Sequence, residues 1–85
     1  MKSCKKFKFK KAAEKFLKSR TRKEQVRLLA KIYDLPQGEH IKKLEGYENC
    51  YRLRVGDFRV IYELHHDEML IITISDIGNR GDVYK

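Results

Sequence analysis

Three arginines lie close together in the middle of the chain, at Arg52, Arg54 and Arg59. They flank the pair Gly56-Asp57, which is typical of a tight turn between two β-strands. Side chains alternate faces along a strand, so the three arginines fall on one face of the predicted hairpin, with Arg54 directly opposite Arg59. Like charges in opposite positions destabilise a sheet. We therefore expect this face to bind a polyanion, because guanidinium groups form forked hydrogen bonds with phosphate oxygens.

The other face of the same hairpin is apolar. A turn at Gly56-Asp57 brings together residues at equal distances from it. The expected pairs are Val55 with Phe58, Leu53 with Val60, and Tyr51 with Tyr62. A four-residue loop centred on the same point gives the same pairs. The apolar face is expected to join a core, while the arginine face stays open to solvent or a ligand.

Charge is distributed unevenly along the 85 residues, whose net charge is +8. Residues 1–43 contain 15 lysines and arginines against 4 acidic residues, and residues 44–85 contain 5 against 8. The first half is therefore expected to attract a polyanion or an acidic protein in a general way. The arginines of the second half are better suited to specific phosphate contacts.

The cysteines and histidines do not have the spacing of a metal site. Cys4 and Cys50 are also too few for a disulfide framework and indicate small buried side chains in a reducing compartment. His40, His65 and His66 form no zinc pattern. No apolar run is long enough to cross a membrane, and no apolar signal segment follows the basic N-terminus. The expected compartment is the cytoplasm.

The spacing of apolar residues predicts the elements that position the arginines. A first strand is expected from Cys4 to Phe9, and a helix over 10–18. Thr21 and Glu24 have the spacing of a capping box, which predicts the start of a second helix. The apolar stripe of that helix would contain Val26, Leu28, Leu29, Ile32 and Tyr33. Two short helices so close together predict a helical hairpin.

The second half is predicted to consist mainly of strands. A loop is expected over 34–39, a short extended piece over 41–44, and hairpin strands over about 50–55 and 58–64. Residues 65–68 resemble a hairpin loop. The run from Met69 to Ser75 is nearly all apolar, which indicates a central strand covered on both sides. The expected core includes Phe16, Leu29, Tyr33, Tyr51, Val60 and Tyr62.

The predicted order of elements is β-α-α-β-β-β. The fold class is therefore α+β, with the helical hairpin packed on one face of a mainly antiparallel sheet. A chain of this length is expected to form one domain over residues 1–85. The face away from the helices would carry Arg52, Arg54 and Arg59.

Three motifs follow one another in the second half. They are Leu44-Glu45-Gly46, the hairpin over 51–62, and Ile77-Gly78-Asn79-Arg80 followed by Val83-Tyr84. Together they resemble the RelE/ParE toxin superfamily, and most closely its RelE-like messenger RNA interferases. The resemblance covers essentially the whole chain, including the helical hairpin.

The resemblance implies the toxin of a type II toxin–antitoxin pair, acting as a ribosome-dependent endoribonuclease. Such toxins cut messenger RNA in the ribosomal A site. The ribose 2′-hydroxyl attacks the adjacent phosphate and leaves a 2′,3′-cyclic phosphate and a 5′-hydroxyl, without metal or cofactor. The implied partners are a cognate antitoxin, the ribosome and the message. The catalytic residues carried over from the family are Arg52, Arg54, Arg59, Arg80 and Tyr84.

Each residue of this set has an expected role. Arg59 and Arg80 would stabilise the extra charge on the phosphorane. The resemblance implies lysines where this chain has Arg52 and Arg54, and arginine is a poor general base because it stays protonated. Tyr84 is then either the base, with its pKa lowered by nearby arginines, or an aromatic that stacks on a nucleobase and orients the attack. We favour orientation, with much of the rate supplied by positioning.

Two other functions are compatible with the same fold. A ParE-like toxin would poison DNA gyrase by binding it, without a hydrolytic site of its own, and the arginine face argues against this. A non-catalytic member would only bind its antitoxin. The arginines in place of lysines keep that alternative open.

Overall fold

The computed structural model describes residues 5–66 and 68–79. The two helices are α1 (Lys11–Lys18) and α2 (Arg22–Tyr33). The strands are β1 (Lys5–Phe9), β2 (Ile41–Lys43), β3 (Cys50–Val55), β4 (Phe58–His66) and β5 (Leu70–Asn79). Cys4, the predicted start of the first strand, lies outside the described residues. Within these two ranges no helix has the length and apolarity needed to cross a membrane.

The strands form one sheet in the order β1-β5-β4-β3-β2. β1 runs parallel to β5, and every other neighbouring pair is antiparallel. The predicted α+β class, with helices on a mainly antiparallel sheet, is confirmed. The extended piece predicted over 41–44 is a short edge strand, because Ile41 pairs with Leu53 and Lys43 with Tyr51.

The core lies between the helices and one face of the sheet. Its helix-side residues are Ala13, Leu28, Ile32 and Leu35, all fully buried. Its sheet-side residues are Leu53, Val55, Phe58, Val60, Tyr62, Ile72, Ile74 and Ile77. The predictions for Val60 and Tyr62 are confirmed. Phe16, Leu29 and Tyr51 are half-buried rather than fully enclosed.

Helix α2 begins at the predicted capping box. The Thr21 hydroxyl accepts a hydrogen bond from the Glu24 backbone N–H, and the Thr21 N–H donates to the Glu24 carboxylate. Such a cap stabilises a helix by about 1 kcal/mol. The Gln25 side-chain amide donates to the carbonyls of Leu17 and Arg20, at 3.0 and 3.1 Å. These bonds join the two helices into the predicted hairpin.

The prediction that Val26 and Tyr33 belong to the buried stripe of α2 is wrong. They keep 59% and 50% of their surface exposed, whereas Leu28 and Ile32 are fully buried. Residues four apart lie above one another on a helix, so Leu28 and Ile32 share the core side. Val26 and Tyr33 lie on a neighbouring side, where Tyr33 touches Phe7 edge to face with ring centroids 5.0 Å apart.

Strand β5 departs from its prediction in two ways. It is an interior strand, but Ile72 and Ile74 are buried while the alternating Ile71 and Thr73 stay partly exposed, so only the helix side is fully covered. The hairpin loop predicted over 65–68 is also wrong at its start. Extension of β4 pairs His65 with Ile71 and His66 with Leu70, which leaves fewer residues for the connection.

Candidate functional site

The face of the sheet away from the helices, called here the open face, carries a group of basic side chains. Arg54 on β3 lies directly opposite Arg59 on β4, as the alternation predicts. Arg52 lies opposite Lys42 of the edge strand β2. We call these four residues the basic cluster. Cross-strand partners point to the same side of a sheet, so their charges are gathered at one end of the open face.

The turn beside the basic cluster is a tight one. β3 ends at Val55 and β4 begins at Phe58, with Gly56 and Asp57 as the turn residues. Gly56 has φ +59, in the left-handed region that glycine adopts at little cost. This geometry fixes the hairpin register, and the register places Arg54 and Arg59 across from each other.

Arg59 is largely enclosed by its surroundings. Its side chain is only 16% exposed, and its Nη2 lies 3.8 Å from Oδ2 of Asp76 on β5. Its Nε is buried and has no hydrogen-bond partner within the described part of the chain. A buried donor without a partner is costly in a folded protein. The guanidinium is therefore held in place with hydrogen-bonding capacity to spare, as expected for a group that receives an anion.

A β-bulge brings Asp76 to the open face. Tyr62 pairs with Ile74 and Ile61 pairs with Asp76, so Ser75 is an extra residue in β5. An extra residue reverses the alternation beyond it. Consequently Ile77 points to the core and Asp76 joins the side that carries Arg59. The Ser75 hydroxyl oxygen is buried at this bulge without a hydrogen-bond partner among the residues described.

Gly78 lies directly opposite Arg59 on β5. A Cβ built on Gly78 would meet no described atom within 4 Å, so the surface beside Arg59 is open at this point. A glycine inside a strand often marks a place where another group approaches the backbone closely.

The far end of the open face has mixed charges. Glu63 and His65 on β4 lie opposite Thr73 and Ile71 of β5, and the His65 Nε2 is 3.1 Å from the Glu63 Oε1. Parallel pairing adds Lys6 and Lys8 of β1 to this end. Basic and acidic groups thus alternate here, unlike in the basic cluster.

Two groups near the hairpin have raised pKa values. Burial, with a smaller contribution from the charge of Glu63, raises the pKa of the Cys50 thiol. Burial also raises the pKa of Tyr62 to about 12, with a smaller contribution from Tyr51, on which its ring stacks at 5.6 Å. Both groups stay protonated near neutral pH, so neither is suited to act as a nucleophile or a general base there.

Comparison with known proteins identifies the family. Residues 7–84 match the model of the ParE toxin of the parDE type II toxin–antitoxin system. The chain belongs to the ParE toxin family. A 45-residue segment is 44% identical to the putative toxin RelE1 of Methanocaldococcus jannaschii and covers 53% of the chain and 49% of that relative. The chain thus spans about half the length of RelE1.

Solved structures of RelE toxins have the same fold as this chain. The archaeal RelE–RelB complex from Pyrococcus horikoshii contains a chain that superposes with a TM-score of 0.72 at 30% identity, over 89% of this chain and 94% of that one. For the RelB–RelE complex from Methanococcus jannaschii the TM-score is 0.70 at 28% identity, and the match covers 91% of this chain and 94% of that one. The resemblance to the RelE/ParE superfamily is confirmed.

The site residues predicted for this ParE-family chain fall into two groups. Arg52, Arg54 and Arg59 lie together on the open face, and their chemical roles stay predictions. Arg80 and Tyr84 lie outside the described residues. Reasoning from sequence missed Lys42, Asp76 and Gly78. The position of Lys42 opposite Arg52 could have been predicted by pairing a short β2 with β3. Asp76 is brought to the site by a bulge that has no signal in the local sequence.

Proposed function

We propose that this toxin is a ribosome-dependent endoribonuclease that cleaves messenger RNA in the A site. The single observation that carries the proposal is the basic cluster on an open sheet face, with the largely enclosed Arg59, whose Nε has no hydrogen-bond partner among the described residues. The superfamily resemblance and the relatives named RelE toxins support it. The proposed reaction is attack of the ribose 2′-hydroxyl on the adjacent phosphate, giving a 2′,3′-cyclic phosphate and a 5′-hydroxyl.

In this proposal Arg59 stabilises the phosphorane. Its guanidinium can donate to phosphate oxygens from the part that stays exposed, and its enclosure strengthens each electrostatic contact. Arg52 and the exposed Arg54 bind neighbouring phosphates of the strand and fix its register. Positioning of this kind supplies a large part of the barrier reduction when the ribosome already holds the message.

The described groups of the hairpin are not suited to take the proton of the 2′-hydroxyl or to protonate the leaving 5′-oxygen, so both protons are exchanged with water in this proposal. Arginines stay protonated, and the raised pKa values of Tyr62 and Cys50 make those groups unsuitable as bases. We propose that Tyr84 stacks on a nucleobase and orients the 2′-hydroxyl, and that Arg80 adds a second guanidinium to the phosphorane. Both assignments rest on the family resemblance.

A cognate antitoxin is the proposed protein partner. Related toxins have been solved as RelE–RelB complexes. The basic first half of this chain suits a partner with acidic segments. We further propose that residues 1–85 act as one toxin domain, in the cytoplasm, where translating ribosomes are found.

The test is message integrity in a reconstituted translation reaction. New 5′ ends would be mapped by primer extension with and without the protein, and with ribosomes omitted as the control. We expect new ends inside A-site codons, only when ribosomes are present. Intact messages on actively translating ribosomes would overturn the proposal and favour a member that only binds its antitoxin.

A gyrase poison is the second candidate, because the family model that matches is that of ParE toxins. A supercoiling assay with purified gyrase separates the two functions. Accumulation of gyrase-linked double-strand breaks, with messages intact, would favour this candidate. We expect supercoiling to proceed unchanged, because the basic cluster would have no role in such binding.

A further inference from the structure

Gly78 is a glycine that neither the backbone nor the packing of the described residues requires. Its φ lies outside the left-handed region, unlike Gly38, Gly46 and Gly56. Open space surrounds the position of a Cβ on Gly78 within the described structure. β-Branched residues are favoured inside strands, and glycine weakens them. A glycine at this point of β5 is therefore less stabilising than a β-branched residue would be, and it leaves the surface above the strand unfilled.

The space above Gly78 adjoins the Arg59 guanidinium. Arg59 and Gly78 are direct cross-strand partners, and the ion pair with Asp76 draws the guanidinium toward β5, the strand that carries Gly78. Directly opposite on the other neighbouring strand lies Arg54, whose positive charge disfavours a tilt of Arg59 toward β3. The Arg59 guanidinium is thus held on the β5 side by Asp76, next to the position where β5 has no side chain.

We propose that the surface above Gly78 is a phosphate seat, in which one RNA phosphate lies against the strand backbone and accepts hydrogen bonds from Arg59. The inference rests on the proposed function for the identity of the phosphate as part of RNA. The absent side chain lets the phosphate approach β5, and Asp76 holds the guanidinium beside it. A Cβ at position 78 would enter the seat and would meet no described atom within 4 Å.

The first test measures phosphate binding directly. Wild-type protein labelled with ¹⁵N would be titrated with inorganic phosphate and with uridine 3′-phosphate, and the amide signal of Gly78 and the side-chain Nε signal of Arg59 followed by NMR. We expect both signals to move together and saturate. Gly78→Val should abolish the movement of the Arg59 signal. Thr73→Val, a similar change on the same strand at the far end of the open face, should retain it.

The second test measures cleavage on programmed ribosomes. Gly78→Val should lower the single-turnover rate by on the order of 10²-fold, the usual effect of losing one transition-state donor, and Gly78→Ala by about tenfold. The thermal midpoints of both variants should equal or exceed that of the wild type, since a Cβ at position 78 meets no described atom within 4 Å and glycine weakens a strand. Thr73→Val should cleave at the wild-type rate.

The two tests separate the seat from the proposed function. Phosphate-dependent shifts at Arg59 that disappear in Gly78→Val, in a wild-type protein that cuts no message, would support the seat and overturn the endoribonuclease. Cleavage by Gly78→Val at the wild-type rate, or a wild-type Arg59 signal that ignores both phosphates, would overturn the seat.

Discussion

On one face of the β3–β4 hairpin, Leu53, Val55 and Val60 are at most 3% exposed and pack beneath the helices. On the other face, two residues of the same strands, Arg54 and Arg59, oppose each other with like charges. The first arrangement follows from burial of apolar surface, which stabilises the fold. The pairing of two arginines destabilises the sheet locally, so burial cannot explain it. The contrast indicates that one face of the hairpin maintains the structure and the other serves a ligand.

The open face shows the same contrast between its two ends. At the far end, His65 contacts Glu63, and Lys6 and Lys8 of β1 pair with Ile71 and Thr73 of the intervening strand. Alternating signs are what an ordinary solvated surface shows. In the basic cluster four cations are gathered, and Arg59 pairs with Asp76 across 3.8 Å. Residues of the far end therefore serve as matched controls for those of the cluster.

The largest expected effect is on cleavage by Arg59→Ala. Loss of this guanidinium should lower the single-turnover rate on programmed ribosomes by on the order of 10²–10³-fold, because the phosphorane loses its main donor. Arg59→Lys should remain strongly impaired, since an ammonium group lacks the planar fork. His65→Ala, at the far end, should cleave normally. An Arg59→Ala protein of wild-type activity would remove the contrast between the two faces.

The covered face should respond to pH through Tyr62. Its pKa of about 12 in the folded protein, against 10.0 as the ordinary value, means that the unfolded chain loses the phenol proton first. Ionisation of this group therefore leaves the free energy of unfolding unchanged below pH 10. As the pH rises from 10 to 12, the free energy of unfolding decreases by up to about 2–3 kcal/mol. Tyr62→Phe should lack this decrease.

Urea unfolding of the wild type and Tyr62→Phe at pH 8 and at several values between 10 and 12 checks the expectation. At pH 8 the phenol is protonated in both states, so that comparison isolates the packing change. As the pH rises from 10 to 12, the free energy of unfolding of the wild type should fall relative to that of Tyr62→Phe. A constant difference over the whole range would show that the covered face does not disfavour the charged phenol.

The ion pair of Arg59 with Asp76 should separate binding from catalysis. Asp76→Asn removes a negative charge from the open face, so KM should fall, while kcat should fall about tenfold because Arg59 loses the group that positions it. Asp57→Asn removes the same charge from the adjacent turn and should lower KM without changing kcat. Asp76→Glu should restore much of kcat.

Steady-state cleavage by these variants of Asp76 and Asp57 gives both constants. If Asp76→Asn lowered KM as Asp57→Asn does and left kcat unchanged, Asp76 would act only through its charge and would not position Arg59. The thermal midpoint should move little, because Asp76 is 52% exposed and pairs at such positions add little stability.

The hairpin could be predicted from sequence because its cause is local. A period of two along each strand, together with Gly56-Asp57, fixes the register of every pair from Tyr51 to Tyr62. Helix α2 illustrates the limit. Its sequence has two apolar sides, one with Leu28 and Ile32 and one with Val26 and Tyr33, and only the tertiary packing decides which is buried.

The part of the site on β5 was beyond prediction for a related reason. Ser75-Asp76 continues an apolar strand without any turn residue, so nothing in the local pattern marks the extra residue of a bulge. Without the bulge, alternation from Ile74 places Asp76 on the core side and Ile77 on the open face. The neighbours of Arg59 therefore depend on a register shift between β4 and β5, which only long-range pairing determines.

The smallest expected effect concerns Lys42, which extends the basic cluster to the edge strand opposite Arg52. If RNA runs across the cluster, Lys42→Gln should weaken binding of a programmed ribosome several-fold and reduce the slope of log K against log salt by about 0.7–1, the contribution of one phosphate contact. Lys8→Gln removes an equal charge at the far end of the open face and should leave the slope unchanged. Equal slopes for both variants would mean that the whole open face attracts RNA only through its net charge, and that the basic cluster has no separate track for the phosphate backbone.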